Sequence, residues 1–525
     1  MKIAIYNRYW STRGGGERYA GAVAEILSRD HRVDLLGPEP VGLQALAGHL
    51  GLDLSRVRFR PVPPVSERKL APISAEYDLF VNCTYLSRLP SRAGKSVYLV
   101  LFPQRTWRPG VVHLARRIAG AVPSKPSPVV PLEGFYETDE HGSLWSRETA
   151  RFRVEPEAFR RGRARLRFSV PEERPLEEAL TDVRSPGAQW RIEAGELVLE
   201  REAGAAAGPV AVEIECRTVV PFELGLSADR RRLGVCLLGA STHRLWGKLS
   251  RLTERVEGRI DAHDAEIPAS YDLLLAISEF TQLWISRRWG LPSEVLAPPV
   301  DTATFTAPEP SGKRKVILSV GRFFHGSHNK KHLAMLRVFR RMHDRGGIPE
   351  GWEYHLAGNL HRDRLEDLEY FAELERLATG YPVKLLVDLS LDQLVEEYRR
   401  AAIFWHAAGW GESERRRPEK FEHFGLTTCE AMSSGCIPVV IANAGQLEIV
   451  EHGESGFLFT SAGELASLTR RLIEGHGEPW TRDMMERAAG AVQRFARTRF
   501  EERLWEILEA HDLVHRGGGA PSPPS

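Results

Sequence analysis

Glu422-His423-Phe424-Gly425-Leu426-Thr427-Thr428-Cys429-Glu430-Ala431-Met432-Ser433-Ser434-Gly435 is the stretch on which the reading of this chain turns. Seven residues separate its two glutamates. The first stands before a helix, the second about a turn inside it. Gly425 lets the backbone turn closely at the helix entrance. First-turn amides have no partner inside a helix and carry the positive end of its dipole. A carboxylate on each side of that turn accepts from pairs of hydroxyls, as sugars present them. The pattern therefore expects a polyhydroxylated ligand with negative charge at a helix N-terminus.

Upstream, Val316–Gly321 (VILSVG) reads as a strand that delivers Arg322 at its carboxyl end, where α/β sheets place ligands. Asn329-Lys330-Lys331 follows. Breaking a bond to phosphate builds negative charge, which fixed cations stabilise. Lys330 and Lys331 are the candidate cations there. Further strands are expected at Tyr354–Ala357, Val383–Leu386, Ile403–Trp405 and Pro438–Ile441, with helices at Leu333–Met342 and Leu391–Ala401. A last helix is expected over Met484–His511.

The N-terminal region repeats this rhythm. Lys2–Tyr6 is a strand, Gly14-Gly15-Gly16 a loop and Arg18–Leu27 a helix with apolar residues at helical spacing. Strands follow at Arg32–Leu36, Tyr77–Asn82, Ser96–Phe102 and Asp272–Ser278. Strands alternating with helices imply an α/β fold with parallel sheets. Between them the pattern changes to short alternating stretches, including Ala164–Val170, Trp190–Leu199 and Val210–Cys216. These predict a β-rich module, a small sandwich. The expected domains are 1–130 with 240–305, an insertion at 131–239, a second Rossmann-like domain at 312–480, a helix at 481–515 that packs back on the first domain, and a Gly/Pro/Ser tail at 516–525. Ala307–Lys313 reads as a linker.

The segment EHFGLTTCEAMSSGCIPVV resembles the signature of the retaining glycosyltransferases of the family 4 type (glycosyl transferases group 1). These have the GT-B architecture, two Rossmann-like domains facing a cleft. Gly445-Gln446-Leu447-Glu448-Ile449-Val450 continues the likeness. The resemblance implies that Glu430 grips the ribose hydroxyls of a nucleotide and Glu422 contacts the donor sugar near its anomeric centre. Backbone amides of Phe424, Gly425, Leu426 and Thr427 would touch the donor sugar and diphosphate. Arg322 with Lys330, or Lys331, would neutralise the diphosphate, and Gly15 and Gly16 would lie near it and the acceptor. His406 either touches the donor or stands behind residues that do. Relatives often have His-x-Pro in the first domain, where this chain has Leu101-Phe102-Pro103. Gln104 or Arg105 is then a substitute for that His.

The implied activity is transfer of a sugar from a GDP- or UDP-sugar to a glycan or lipid-linked acceptor with retention. Mannose is favoured, and the setting is cell-surface polysaccharide or lipopolysaccharide assembly. No metal or other cofactor is expected. Gly134-Phe135-Tyr136, Trp145-Ser146 and Asp229-Arg230-Arg231-Arg232-Leu233-Gly234-Val235 look like a sandwich module of bacterial glycosyltransferases, either a glycan binder or a spacer. Arg151, Arg153, Arg160, Arg161, Arg163, Arg165 and Arg167 form a basic stretch, either solvated or resting on anionic lipid headgroups.

Composition is consistent with this. The 525 residues carry 71 basic and 70 acidic side chains, which gives no general pull toward nucleic acid. Five dispersed cysteines suggest neither disulfides nor zinc. The start has no signal peptide and no transmembrane run is seen, so the expected location is cytoplasmic, with peripheral contact at the inner membrane face. Two other readings stand beside the transferase. Gly14 and Gly16 fit the start of a dinucleotide-binding G-x-G-x-x-G with Asp34 as its ribose acid, although Tyr19 stands at the third glycine. That is the oxidoreductase reading. A non-catalytic glycan-binding protein is the other, and a phosphorylase on the same fold is a nearer variant.

Overall fold

The computed structural model describes all residues except 13, 107–128, 136–143, 160–161, 171–174, 194, 203–207, 220–231, 241–258, 308–311, 327–328, 415–416 and 517–525, and the side chains of 144, 167, 169 and 238–240. Tyr136, Arg160, Arg161, Asp229-Arg230-Arg231, most of the expected linker and the tail from Gly517 therefore lie outside the described residues, as does the Arg167 side chain. The chain divides into two compact units. One comprises Met1–Trp107, Asp261–Trp410 and Glu419–Ser525, the other Arg108–Ile260 and Gly411–Pro418.

The first unit holds two parallel sheets, one in each of two lobes. In the first lobe the strands lie in the order Arg58–Pro61, Arg32–Gly37, Lys2–Tyr6, Leu79–Asn82, Lys95–Val100, Leu273–Ala276, Glu294–Val295. In the second the order is Val383–Val387, Glu353–Gly358, Arg314–Val320, Ala401–His406, Ile437–Ile441, Phe457–Phe459. Both are doubly wound: the chain steps outward in one direction, returns to the middle and steps out in the other. The strands are nearly continuous apolar runs, as expected of sheets covered on both faces. Every residue of Ala401–His406 is buried.

Seven helices matter below: α1 (Gly15–Leu27), α2 (Glu279–Trp289), α3 (His332–Asp344), α4 (Leu391–Arg400), α5 (Leu426–Ser433), α6 (Pro479–Val492) and α7 (Arg497–Ala510). Helix α1 begins three residues earlier than the sequence suggested. The Glu17 carboxylate reaches back to the Gly14 amide at 2.7 Å, so Gly15 and Gly16 belong to the first helical turn. The expected last helix is two. After α6 and a short turn, Ala496 is extended (φ −58°, ψ 155°) and bridges to Val300, whose amide donates to the Phe495 carbonyl at 2.8 Å. Neither Pro nor Gly marks this break; a tertiary contact makes it. Helix α7 then lies on the first lobe. Its Phe500 ring stands 5.4 Å from that of Tyr19, and Trp505 is 6.2 Å from His31. Among the described residues no helix is long and apolar enough to cross a membrane.

The second unit is antiparallel. Its strands, Val129–Phe135 to Cys236–Ala240, form one eight-stranded sheet over a single apolar core, seven of them in one path and Val129–Phe135 paired beside Leu144–Val154. The sequence suggested a small sandwich. Here the eleven-residue strand Leu144–Val154 is long enough to pair with both halves of the path. The alternating stretch Trp190–Leu199 belongs to a hairpin of Ala188–Glu193 and Glu196–Arg201, turned at Gly195 with φ +75°. Ser146 and Gly234 meet closely: a Cβ on Gly234 would strike the Ser146 side chain. The basic stretch is not a free cationic patch where it is described. Arg151 faces Glu133 and Glu213, Arg153 faces Glu155, Arg163 faces Glu200, and Arg165 faces Glu193 and Glu196. Opposite charges on adjacent strands stabilise the pairing and cancel the field.

Candidate functional site

In each sheet of the first unit, a helix N-terminus follows a strand beside the point where the strand order reverses. These two termini meet. A Cβ on Gly15 would stand 3.3 Å from Leu426 Cδ1. A larger residue on the α1 side would require the Leu426 side chain to give way by a few tenths of an ångström. Glu17 fixes the turn before α1 by accepting from Asn7 (3.1 Å), Thr12 (2.7 Å) and the Gly14 amide. At α5, Gly425 is left-handed with φ +117°, and a Cβ there would lie 2.9 Å from Gln446 Nε2.

A charged cluster borders the α5 terminus. Lys330 Nζ pairs with Glu422 Oε2. The Lys330 stem lies against Gly321, where a Cβ would stand 2.5 Å from Lys330 Cγ. Arg322 follows in the chain, exposed, with its guanidinium 5.6 Å from the Phe324 ring centre. His406, at the end of its strand, is 1% exposed. Its Nε2 is 3.0 Å from Glu422 Oε2, an ion-pair distance without hydrogen-bond alignment, and its Nδ1 is 3.3 Å from Gln446 Nε2. Burial opposes charge on Glu422, but Lys330 and then His406 outweigh it and hold the carboxyl well below its ordinary range. Burial, seconded by Lys330, pushes the His406 imidazole down against the opposing pull of Glu422.

Glu430 is the opposite case. Burial pushes it up to about 7, against Arg18 and a hydrogen bond from Tyr398, with Asp301 adding to the rise. The Tyr398 hydroxyl donates to Oε2 at 3.1 Å. Arg18 of α1 lies 3.5 Å from Oε1 and 3.3 Å from Asp301. Behind them, buried Lys313 donates to the carbonyls of Ser434 (2.6 Å) and Tyr398 (3.1 Å), which ties the end of α5 to α4. Lys313, the last residue of the expected linker, is thus part of the core.

The structure thus gathers Glu422, Lys330 and His406 in one cluster and puts Glu430 farther along the same helix turn. Lys330, not Lys331, reaches Glu422. Lys331 takes a left-handed backbone (φ +61°) at the start of α3. The Phe424 side chain is 3% exposed and packs on Phe495, so only its backbone is placed to meet a ligand. Leu426 and Thr427 are half-buried at the helix entrance. A Cβ on Gly16 would stand 3.2 Å from Leu101 Cδ1, and Phe102 stacks on His423 with ring centres 4.0 Å apart. Arg105 is bidentate to Asp261 at 2.7 Å, and Gln104 bonds Tyr85. Neither side chain stands ready as the substitute suggested for the missing His. Asp34, which a dinucleotide site needs at its strand end, is 5% exposed and accepts from Tyr77 at 3.0 Å. Arg18, Tyr398 and Gln446 were missed by sequence reasoning. Gln446 sat within a quoted motif; for Arg18 the only signal was its place one turn after the glycines.

Residues 301–490 match the model of the family described as Glycosyl transferases group 1. Over 229 residues the chain is 29% identical to "Alpha-1,3/1,6-mannosyltransferase alg-2" of Neurospora crassa, covering 38% of this chain and 44% of that protein. It is 25% identical over 240 residues to "GDP-Man:Man(3)GlcNAc(2)-PP-Dol alpha-1,2-mannosyltransferase" of Dictyostelium discoideum, covering 43% and 44%. The matches thus span less than half the length of these curated relatives. A solved structure of Alr3699/HepE from Anabaena in complex with UDP aligns over 97% of this chain and 100% of that one, with TM-score 0.52 and 14% identity. That likeness concerns the fold: the two parallel-sheet lobes form the GT-B architecture.

Proposed function

We propose that the protein is a retaining glycosyltransferase that moves a sugar from a nucleoside-diphosphate sugar to a hydroxyl of a glycan or lipid-linked acceptor. The observation that carries this is the meeting of two helix N-termini, α1 and α5, beside Lys330–Glu422 on one side and Glu430 on the other. Helix N-termini favour phosphate, and the carboxylates favour hydroxyls. In this reading Glu430 accepts from the ribose. The amides at Phe424–Thr427, with Gly15 and Gly16 opposite, bind the diphosphate. Lys330, seconded by Arg322 and Lys331, offsets the charge that develops on the leaving phosphate. Glu422 orients the donor sugar, and His406 acts through Glu422. No carboxylate is assigned as a nucleophile. The acceptor hydroxyl attacks on the face the phosphate leaves, and that phosphate takes its proton.

The donor name within that of the Dictyostelium relative favours guanosine and mannose. We assign the acceptor to cell-surface polysaccharide or lipopolysaccharide assembly at the inner membrane face. No metal is invoked, because the cations named serve as counter-charges.

The test is a thermal-shift panel of GDP, UDP and ADP on the wild type and Glu430→Ala. A nucleotide at about 100 times its dissociation constant adds roughly 2.7 kcal/mol of stability. The reading expects one nucleoside diphosphate to stabilise the wild type and not the variant. It falls if none does. Retention is checked by the anomeric configuration of the product in NMR, and inversion would refute it.

A further inference from the structure

One turn below the meeting of α1 and α5, a guanidinium of the first lobe faces a carboxylate of the second. Arg18 Nη2 makes an aligned hydrogen bond to Asp301 Oδ2 at 3.3 Å. Its Nη1 lies 3.5 Å from Glu430 Oε1 as an ion pair without such alignment. Arg18 is thus anchored on Asp301 and merely stands before Glu430. The other oxygen of Glu430, Oε2, is taken by Tyr398. Oε1 accepts no aligned hydrogen bond from the described residues and so has the greater capacity for a ligand, and Arg18 occupies its approach. The Arg18 side chain is itself 24% exposed, so it has room to withdraw.

We propose that Arg18 is a nucleoside-positioning residue: in the empty cleft it screens Glu430, and on donor entry it cedes Oε1 to a ribose hydroxyl while Asp301 retains it beside the ribose. This rests on the reading of Glu430 as the ribose acceptor. In the exchange the hydroxyl donates to Oε1, and the released Nη1 turns its N–H to the oxygen of a ribose hydroxyl. The charged and titratable groups around Glu430 are Arg18 from α1, Asp301 from the connection after Pro299, Tyr398 from α4 and Cys429 beside it on α5. Among the described residues that act on Glu430, Arg18 is the one cation. Without it, a buried carboxylate beside an aspartate takes a proton more readily. A protonated Glu430 has one oxygen fewer to offer a ribose diol. Arg18 therefore opposes the protonation that burial and Asp301 favour, and marks where the ribose goes.

The experiment is calorimetric titration of the nucleoside diphosphate that the wild type binds, and of its 2′,3′-dideoxy analogue. It uses the wild type, Arg18→Met and Arg18→Lys at pH 6.5 and 8.5. The Met variant is expected to bind about tenfold more weakly at pH 6.5, the size of a one-unit shift in acceptor ionisation, with most of that loss recovered at pH 8.5. The penalty for the dideoxy analogue shrinks in the Met variant at pH 6.5. The Lys variant keeps the cation, so its affinity changes little between the two pH values, and Arg18→Gln takes the place of the Met variant if that does not fold. Equal loss at both pH values, or a dideoxy penalty unchanged by the substitution, overturns the role of Arg18 and leaves that of Glu430 standing. A wild type that binds no nucleoside diphosphate at either pH overturns both.

Discussion

Glu422 and Glu430 occupy one helix entrance yet are pushed in opposite directions, and their contributions to stability oppose each other with pH. Glu430 is raised from 4.5 to about 7. Its contribution is fully present below 4.5 and is lost as pH rises through about 7, because the unfolded chain ionises first. Glu422 is depressed, so its contribution is present above 4.5 and lost as pH falls through its folded value. Glu430→Gln removes the first term. The variant should unfold at higher denaturant concentration than wild type at pH 8 and at the same concentration at pH 4.5. An offset equal at both pH values would count against a buried, raised Glu430. The same position gains stability and loses nucleotide binding, as expected where a site carries an unfavourable charge. Gly321→Ala tests the other cluster. The new Cβ displaces the Lys330 stem, which is flexible, so the fold should persist. A cation shifted by about 1 Å costs about 100-fold in turnover. Circular dichroism and initial rates check this, and unchanged rates would remove Lys330 from the reaction.

Among the elements, α5 is held by geometry that few residues accept. Gly425→Ala meets a φ of +117° and the Gln446 amide at 2.9 Å. It should destabilise the protein by about 1–3 kcal/mol and, by moving Gln446 off His406, weaken donor binding as well. Denaturant unfolding and nucleotide titration report the two effects. The elements themselves were largely legible from periodicity, because parallel strands buried on both faces are plain apolar runs. What was not legible depended on distant partners. The break at Ala496 exists because Val300 pairs with it, and the glycines of α1 are helical because Glu17 caps them. The hairpin at Gly195 was hidden inside a run of alternating residues. The motif around Glu422 and Glu430 was legible as chemistry. Arg18 was not, since nothing local tells an arginine on an amphipathic helix that a carboxylate 412 positions later will face it.

For the whole molecule, one carboxylate helps to clasp the lobes. Glu448 of the second lobe accepts from the amides of Glu279 and Phe280 in the first turn of α2, at 2.9 and 2.8 Å. It sits where a helix favours negative charge. Glu448→Ala should leave secondary structure intact and raise the radius of gyration in small-angle scattering, with nucleotide reversing the change. An unchanged radius would show that the remaining contacts, among them a shared apolar cluster, hold the lobes without it. That cluster runs from Ile3 and Leu35 through Phe424 and Val440 to Trp505 and Leu508.

The crossing of the chain at Ala496 governs how the protein is made. The first lobe contains the earliest strand and also α7, whose Phe500, Leu504, Trp505, Ile507 and Leu508 are buried. A ribosome adding roughly 5–20 residues per second needs tens of seconds to travel from α1 to α7. During that interval the apolar faces of α1 and its sheet stand without their last cover. Such a nascent lobe is an invitation to chaperones, and its closure is a late event of biosynthesis.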